Sequence, residues 1–351
     1  MVDYIVVGLG LAGLSFCEVL EKHGKSFMVI DDDSQKASEV AGGMYNPVIL
    51  KRFTLAWNAK EQLDLAMPFY SALEQKLQLP LDYKIQVLRR LVSVEEQNLW
   101  YEATDKPQLD YFLSPKLVPN ANTAIAADHD YGEVRFTGRI DTKILLRKYK
   151  EHLQERNVLR KASFNFEALQ FKENHISYQG ISAGKIVFAT GYGLKKNPYF
   201  NYLPLNGTKG ELLTIKAPKL QEDRIIKSSV FLIPLGNDLY RVGATYKWKD
   251  KTNTPTKESR TELLQKLESF LNCEYEVIDH VAGIRPTTAD RRPLVGQHPE
   301  HKALYILNGL GSRGVIIAPY ASRQLYHHIE HGTDLDAEMD IARCTKKYYH
   351  L

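Results

Sequence analysis

Four apolar positions in a row, Tyr4-Ile5-Val6-Val7, open the chain between Asp3 and Gly8. A short run that is apolar at every position predicts a strand buried on both faces. After the interruption at residues 8–13, Leu14, Cys17, Val19 and Leu20 recur at helical spacing, which predicts a one-sided helix from Leu14 to His23, stopped by Gly24. Phe27-Met28-Val29-Ile30 predicts a second buried strand that stops at Asp31. Further helices are predicted over residues 58–79, closed by Pro80, and over residues 257–271. Residues 138–141 read as a turn and cap, with Asp141 the N-cap of a helix that runs to about Glu155 through Ile144, Leu145, Tyr149 and Leu153. Near the end, residues 304–307 predict another buried strand, and a helix starts near Val315.

Between these elements the period changes. Residues 83–135 carry short runs with frequent aromatics, and residues 205–215, 230–234 and 239–246 alternate like strands. The pattern predicts an α/β fold with an α+β second domain. In it a Rossmann-like cofactor domain is interleaved with a mainly antiparallel β-sheet substrate domain. The expected division is discontinuous, with residues 1–80, 137–204 and 280–351 in the first and residues 81–136 and 205–279 in the second.

Composition narrows the class. With 351 residues, 44% apolar and 25% charged, the chain matches an ordinary globular protein. No apolar run approaches the ~20 residues that span a bilayer, and Asp3 stands where a signal peptide would be basic. Three scattered cysteines, Cys17, Cys273 and Cys344, argue for a reducing compartment. A cytoplasmic enzyme with no membrane association is the expectation. The formal charge of +4 permits an anionic substrate or an RNA partner and demands neither.

Candidate chemistry centres on the first turn, Gly8-Leu9-Gly10-Leu11-Ala12-Gly13, a G-x-G-x-x-G between a strand and a helix with an acid 18 positions on. Gly8 permits the tight exit, Gly10 lets a pyrophosphate approach the backbone, and Gly13 lets the helix pack closely. The helix start near Leu11 offers free N–H groups to phosphate, and Asp31 is placed to accept from an adenosine ribose. Asp32 and Asp33 compete for that role, and Asp31 is preferred because it directly follows the strand. Residues 41–52, AGGMYNPVILKR, read as a loop whose backbone approaches a cofactor closely, or as a surface turn. Ala189-Thr190-Gly191 ends a short buried strand and is a second sign of a two-nucleotide cofactor. The turn Gly309 to Gly314 places another helix start where it can face a ligand; if that ligand is a flavin, the helix dipole would stabilise the negative charge of its reduced form.

These pieces together resemble the D-amino-acid-oxidase family of FAD-dependent oxidoreductases, which includes glycine oxidase and sarcosine oxidase. The resemblance rests on VVGLGLAGLS with Asp31, GGMYNP, VFATG, FLIPLGNDLYRVGAT, GIRPTTADRRPLVG and NGLGSRGVIIAP, in family order over nearly the whole chain. The form GLGSRGV followed by AP is also similar to the oxidase half of the bifunctional enzyme that modifies wobble uridine in tRNA. The resemblance implies an FAD cofactor held by Gly8, Gly10, Leu11, Ala12, Gly13, Asp31 and Asp32, by Gly42, Gly43 and Met44, by Ala189, Thr190 and Gly191, and by Arg285, Gly311, Ser312, Arg313, Gly314 and Val315. No cysteine lies near GLGSRG, so the FAD is expected to be non-covalent.

Arg285 is the implied anchor of a substrate carboxylate, which suits its planar, permanently charged fork; the alternative is an arginine tied to carbonyls beside Pro286. Tyr246 and Tyr45 are lesser candidates for the pocket wall. His280, His298 and His301 have no metal spacing. The implied reaction is oxidation of an amino acid or secondary amine, with hydride passing from carbon to flavin, hydrolysis of the imine, and reoxidation by dioxygen. Two other readings stand beside it: an oxidase that removes a carboxymethyl group from a tRNA wobble uridine, and a non-catalytic flavin-binding protein.

Overall fold

The computed structural model describes residues 1–349. Its mixed sheet is built on parallel strands in the spatial order Leu159–Lys161, Phe27–Asp31, Val2–Val7, Ile181–Phe188 and Leu304–Asn308. Ile181–Phe188 is long enough to serve two partners. Its last residues pair with Leu304–Asn308, and its first pair with the antiparallel hairpin of Leu169–Phe171 and Ile176–Tyr178. Tyr4, Ile5, Val6, Ile186, Val187 and Phe188 are fully buried, as runs that are apolar on both faces require.

The second sheet has seven strands, in the order Glu276–Arg285, Thr208–Lys216, Leu239–Gly243, Phe231–Gly236, Ile225–Lys227, Val87–Arg90 and Tyr131–Val134. Every pair is antiparallel except Ile225–Lys227 with Val87–Arg90. The α/β class and the mainly antiparallel second sheet are as expected. No helix of the described residues is long and apolar enough to cross a membrane.

The first helix spans Leu11–Lys22, starting at Leu11 as expected, with Leu14 N–H donating to Gly10 O across its glycine turn. Two local expectations are corrected. Residues 83–135 are not all strand. Val94–Thr104 and Leu109–Phe112 are helices, the first capped where Ser93 Oγ accepts from Glu96 N–H at 3.1 Å. The S-x-x-E spacing of Ser93 and Glu96 carried that signal in the sequence. Gly138–Ile140 is a strand, paired with Met44–Tyr45 and Asp82–Tyr83, and not a turn. A Cβ at Gly138 would lie 2.3 Å from Tyr45 Oη, so the glycine serves strand packing. Asp141 is the cap as expected, accepting from Ile144 N–H at 3.1 Å.

Candidate active site

The two glycine-bounded helix starts, from opposite ends of the chain, meet. A Cβ at Gly314, the first residue of the helix Gly314–His331, would sit 3.4 Å from Leu11 Cδ1. Neither helix has a side-chain cap of its own, and both starts face one cleft of about 1970 Å³. That volume exceeds the ~300–1,000 Å³ usual for a single small ligand, leaving room for a dinucleotide and a substrate together.

Gly8, Gly10, Leu11, Ala12, Asp31, Asp32, Gly42, Met44, Ala189, Thr190, Gly191, Arg285, Gly311, Ser312, Arg313, Gly314 and Val315 all line this cleft, with Tyr45 and Tyr246. Gly13 and Gly43 do not. A Cβ at Gly13 would lie 2.0 Å from Gly8 O, and one at Gly43, which has φ +69°, 1.9 Å from Ile140 O. Both are glycines because protein backbone, not a ligand, occupies that space. Gly8 adopts φ +96°, and a Cβ there would meet Ala189 O at 2.6 Å, so the first turn and the Ala-Thr-Gly turn are packed together.

Asp31 Oδ1 accepts from Leu9 N–H at 2.9 Å, and Lys150 Nζ lies 3.4 Å from Oδ2. The carboxylate thus fixes the glycine turn with one oxygen. Asp32 is exposed and accepts from Ser34 N–H at 3.0 Å and Ser163 Oγ at 2.7 Å. Burial pulls its pKa upward, but these bonds outweigh that and hold it below the usual carboxylate range. Leu11 N–H donates to Ser38 Oγ at 3.2 Å. Ser38 escaped sequence reasoning because it lies in a segment with no pattern, distant in the chain from the turn it serves.

Two polar atoms on the cleft wall, Thr190 Oγ1 and Trp57 Nε1, are buried with no hydrogen-bond partner among the described residues. Leaving a buried polar group unpaired costs about 1–3 kcal/mol, so both suit a bound polar cofactor. With the paired helix starts and the glycine cradle, the residues present fit a dinucleotide such as FAD.

Elsewhere on the cleft wall, Arg285 Nη1 donates to Thr245 O at 3.1 Å, and its guanidinium lies 4.4 Å from the centroid of the exposed Tyr246 ring. Arg285 has no carboxylate partner within 4.0 Å among the described residues. Arg313 Nη1 donates to Asn46 O at 2.6 Å and Nη2 to Val48 O at 3.5 Å, which ties the loop after Gly43 to the start of the helix Gly314–His331. Burial, opposed by Tyr246, pulls both guanidinium pKa values down, that of Arg313 to about 10. The Tyr45 hydroxyl donates to Asp82 at 2.8 Å, so this tyrosine contributes its ring to the wall while its oxygen is committed elsewhere. Asn308, which sequence reasoning passed over, donates from Nδ2 to Gly191 O at 3.0 Å and joins two of the cofactor-type turns.

Among the described residues no histidine lines the cleft and no cluster could hold a metal ion. His298 is almost fully buried outside the cleft and accepts at Nδ1 from Glu300 and His301 N–H. Lys51, Arg52, Lys195, Lys196 and Arg313, which the sequence could not place, all line it. In total 14 lysines and arginines and five acidic residues do so.

Comparison with known proteins gives the same picture. A family model described as "DAO: FAD dependent oxidoreductase" matches residues 3–327. The tRNA 5-methylaminomethyl-2-thiouridine biosynthesis bifunctional protein MnmC of Marinobacter nauticus is 22% identical over 93% of this chain, which spans about half (55%) of that protein's length. Glycine oxidase of Pseudomonas putida is 29% identical over 38% of this chain and 37% of its own. Among solved structures, glycine oxidase from Bacillus cereus superposes with a TM-score of 0.77 at 19% identity, over 95% of this chain and 96% of that one. Iminodiacetate oxidase from Chelativorans gives 0.77 at 18% identity, over 97% and 98%. At such identity these likenesses describe the fold.

Proposed function

Because the chain belongs to the DAO family of FAD-dependent oxidoreductases, we propose that it oxidises the C–N unit of an amino acid or secondary amine bearing a glycine-like carboxymethyl group. The observation that carries this reading is Arg285, a guanidinium on the cleft wall that lacks an acidic partner among the described residues. A desolvated cation without a counter-ion is costly, and a substrate carboxylate would supply one. Thr245 O takes one of its N–H groups and its guanidinium carbon lies over the Tyr246 ring, which leaves the other N–H groups of the fork for a bidentate pair.

FAD would be held along Gly8 to Ala12 with Asp31 and Asp32, and beside Gly42, Met44, residues 189–191 and residues 311–315. When bound, it supplies the two-electron acceptor for the C–H next to nitrogen, with dioxygen the proposed final acceptor. The chain's own contribution is position and charge. Arg285 fixes the carboxylate, and the helix start at Gly314 presents its positive dipole end to the same cleft. Arg313, whose charge is not spent on the carboxylate, disfavours a neighbouring ammonium and so favours the neutral amine that loss of a hydride from its carbon requires. No side-chain base is needed. Residues 1–80, 137–204 and 280–351 are assigned to cofactor binding and residues 81–136 and 205–279 to the substrate side, with the edge strand Glu276–Arg285 crossing between them.

One observation favours a second reading. The excess of cations on the cleft wall, 14 against five, suits a polyanion, and a tRNA carrying a carboxymethylaminomethyl group would present the same glycine-like unit. Anaerobic bleaching of the flavin by glycine, sarcosine, D- and L-amino acids and undermodified tRNA decides between them. Bleaching by a small amine supports the first reading, and bleaching by tRNA alone overturns it in favour of the second.

A further inference from the structure

The seven-stranded sheet forms one wall of the cleft and carries a second cation far from Arg285. Val281, Leu212, Gly243, Phe231 and Lys227 fall in one row across five adjacent strands. Four strand spacings of about 4.8 Å, with Arg285 four residues beyond Val281, put the two cations on the order of 20 Å apart. Lys227, Ser229 and Lys266 line that far end of the cleft.

The charges around Lys227 are unevenly matched. Arg89 on the neighbouring strand is paired with Glu96, and Lys266 with Glu262 at 2.6 Å. Lys227 has no acid within 4.0 Å among the described residues. Its ammonium donates to Ser228 O at 2.6 Å and lies 4.7 Å from the centroid of Phe231. Burial, reinforced by Arg89 and Lys266 and opposed by Glu96, lowers its pKa to about 8. A half-buried lysine beside two other cations is unfavourable unless an anion joins it.

We propose that the Lys227 end of the cleft is a second anion subsite that takes a phosphate group, so that the substrate is an elongated molecule with a carboxylate at one end and a phosphate at the other. A lysine ammonium binds phosphate as a point charge, and at the other end Arg285 offers the planar fork that pairs bidentately with a carboxylate. The substrate class rests on the reading of Arg285 as carboxylate anchor; phosphate binding at Lys227 does not. The phosphate could belong to a small phosphorylated amine or to a nucleic-acid backbone, because the subsite chemistry is shared.

Calorimetric titration of the FAD-loaded protein with sodium tripolyphosphate, and separately with a short single-stranded oligoribonucleotide, tests the subsite. Loss of one charge-assisted contact is worth tenfold or more, so Lys227→Met is expected to weaken tripolyphosphate binding at least about tenfold. Lys227→Arg should retain it, and Arg285→Met should leave it unchanged. Above pH 8, binding should also take up a proton, visible as a dependence of the heat on buffer ionisation. Oligoribonucleotide binding that disappears in Lys227→Met assigns the phosphate to a nucleic acid, and tripolyphosphate binding alone assigns it to a small molecule. Wild-type protein that binds neither probe at millimolar concentration, or Lys227→Met protein that binds like wild type, overturns the subsite. A protein that binds tripolyphosphate through Lys227 but is bleached by no carboxylate-bearing amine keeps the subsite and loses the oxidase reading.

Discussion

Arg285 works through the residues that leave room for it. A Cβ at Gly210 would lie 2.1 Å from an Arg285 guanidinium nitrogen, so the glycine on the adjacent strand is the floor of the arginine's slot. Arg285→Met is expected to raise KM for a carboxylate-bearing amine about 100-fold or more, the value of two charge-assisted bonds, with little change in FAD content. Gly210→Ala should give the same KM defect without touching substrate, because the arginine must move. Steady-state kinetics on both variants check this, and a normal KM in Gly210→Ala would show that the slot is not what orients the guanidinium. The arginine was legible in the sequence because its motif carries it. Gly210 was not, because a glycine in an alternating strand shows no sign of what packs over it.

At the level of elements, the helix Gly314–His331 is held at both ends. Its first turn faces the cleft, and near its last turn Glu330 binds Tyr4 Oη, Lys25 and, at 3.2 Å, Lys185. Burial raises the Glu330 pKa, but these three donors outweigh it and hold it at about 2. The native value is depressed, so the stabilisation is complete above the unfolded value near 4.5 and is lost as pH falls toward 2. Denaturant unfolding between pH 6 and pH 2 should show this loss, up to about 3 kcal/mol, and Glu330→Gln should flatten that part of the profile. A variant profile parallel to wild type would remove Glu330 from the account.

The strand Thr208–Lys216 makes a related point. Thr208, Gly210 and Leu212 face the cleft, while Lys209 and Glu211, both fully buried, lie on its other face. Lys209 Nζ reaches Asp250 and Thr254 O at 2.5 Å, and Glu211 accepts from Thr256 N–H at 2.8 Å, so residues 247–256 are latched to the sheet. Lys209 Nζ also lies 3.5 Å from Glu211, so Lys209→Met leaves that buried carboxylate without its lysine and is expected to cost about 3–5 kcal/mol of stability, measured by denaturant unfolding. The strand's alternation could be read from sequence; that its charged face is covered by a later loop could not.

For the whole molecule, one cleft joins the two ends of the chain, so ligand removal should act globally. FAD at about 100 times its dissociation constant adds about 2.7 kcal/mol to the native state, or roughly 4 °C in Tm for a chain of this size. Calorimetry of FAD-free and FAD-loaded protein tests this, and coincident melting curves would mean that the cleft does not hold the cofactor. The sequence by itself determined the strand–turn–helix unit at Tyr4 to Asp31, the Ala-Thr-Gly and Gly309–Gly314 turns and their cofactor class, because glycine spacing and apolar period are local properties. Tertiary structure alone decided that Leu11 and Gly314 touch, that Gly13 and Gly43 pack on protein backbone, and that Lys227 shares a cleft with Arg285. Those facts depend on how strands distant in the chain are ordered in two sheets, and no local pattern encodes which side chain faces which across a space.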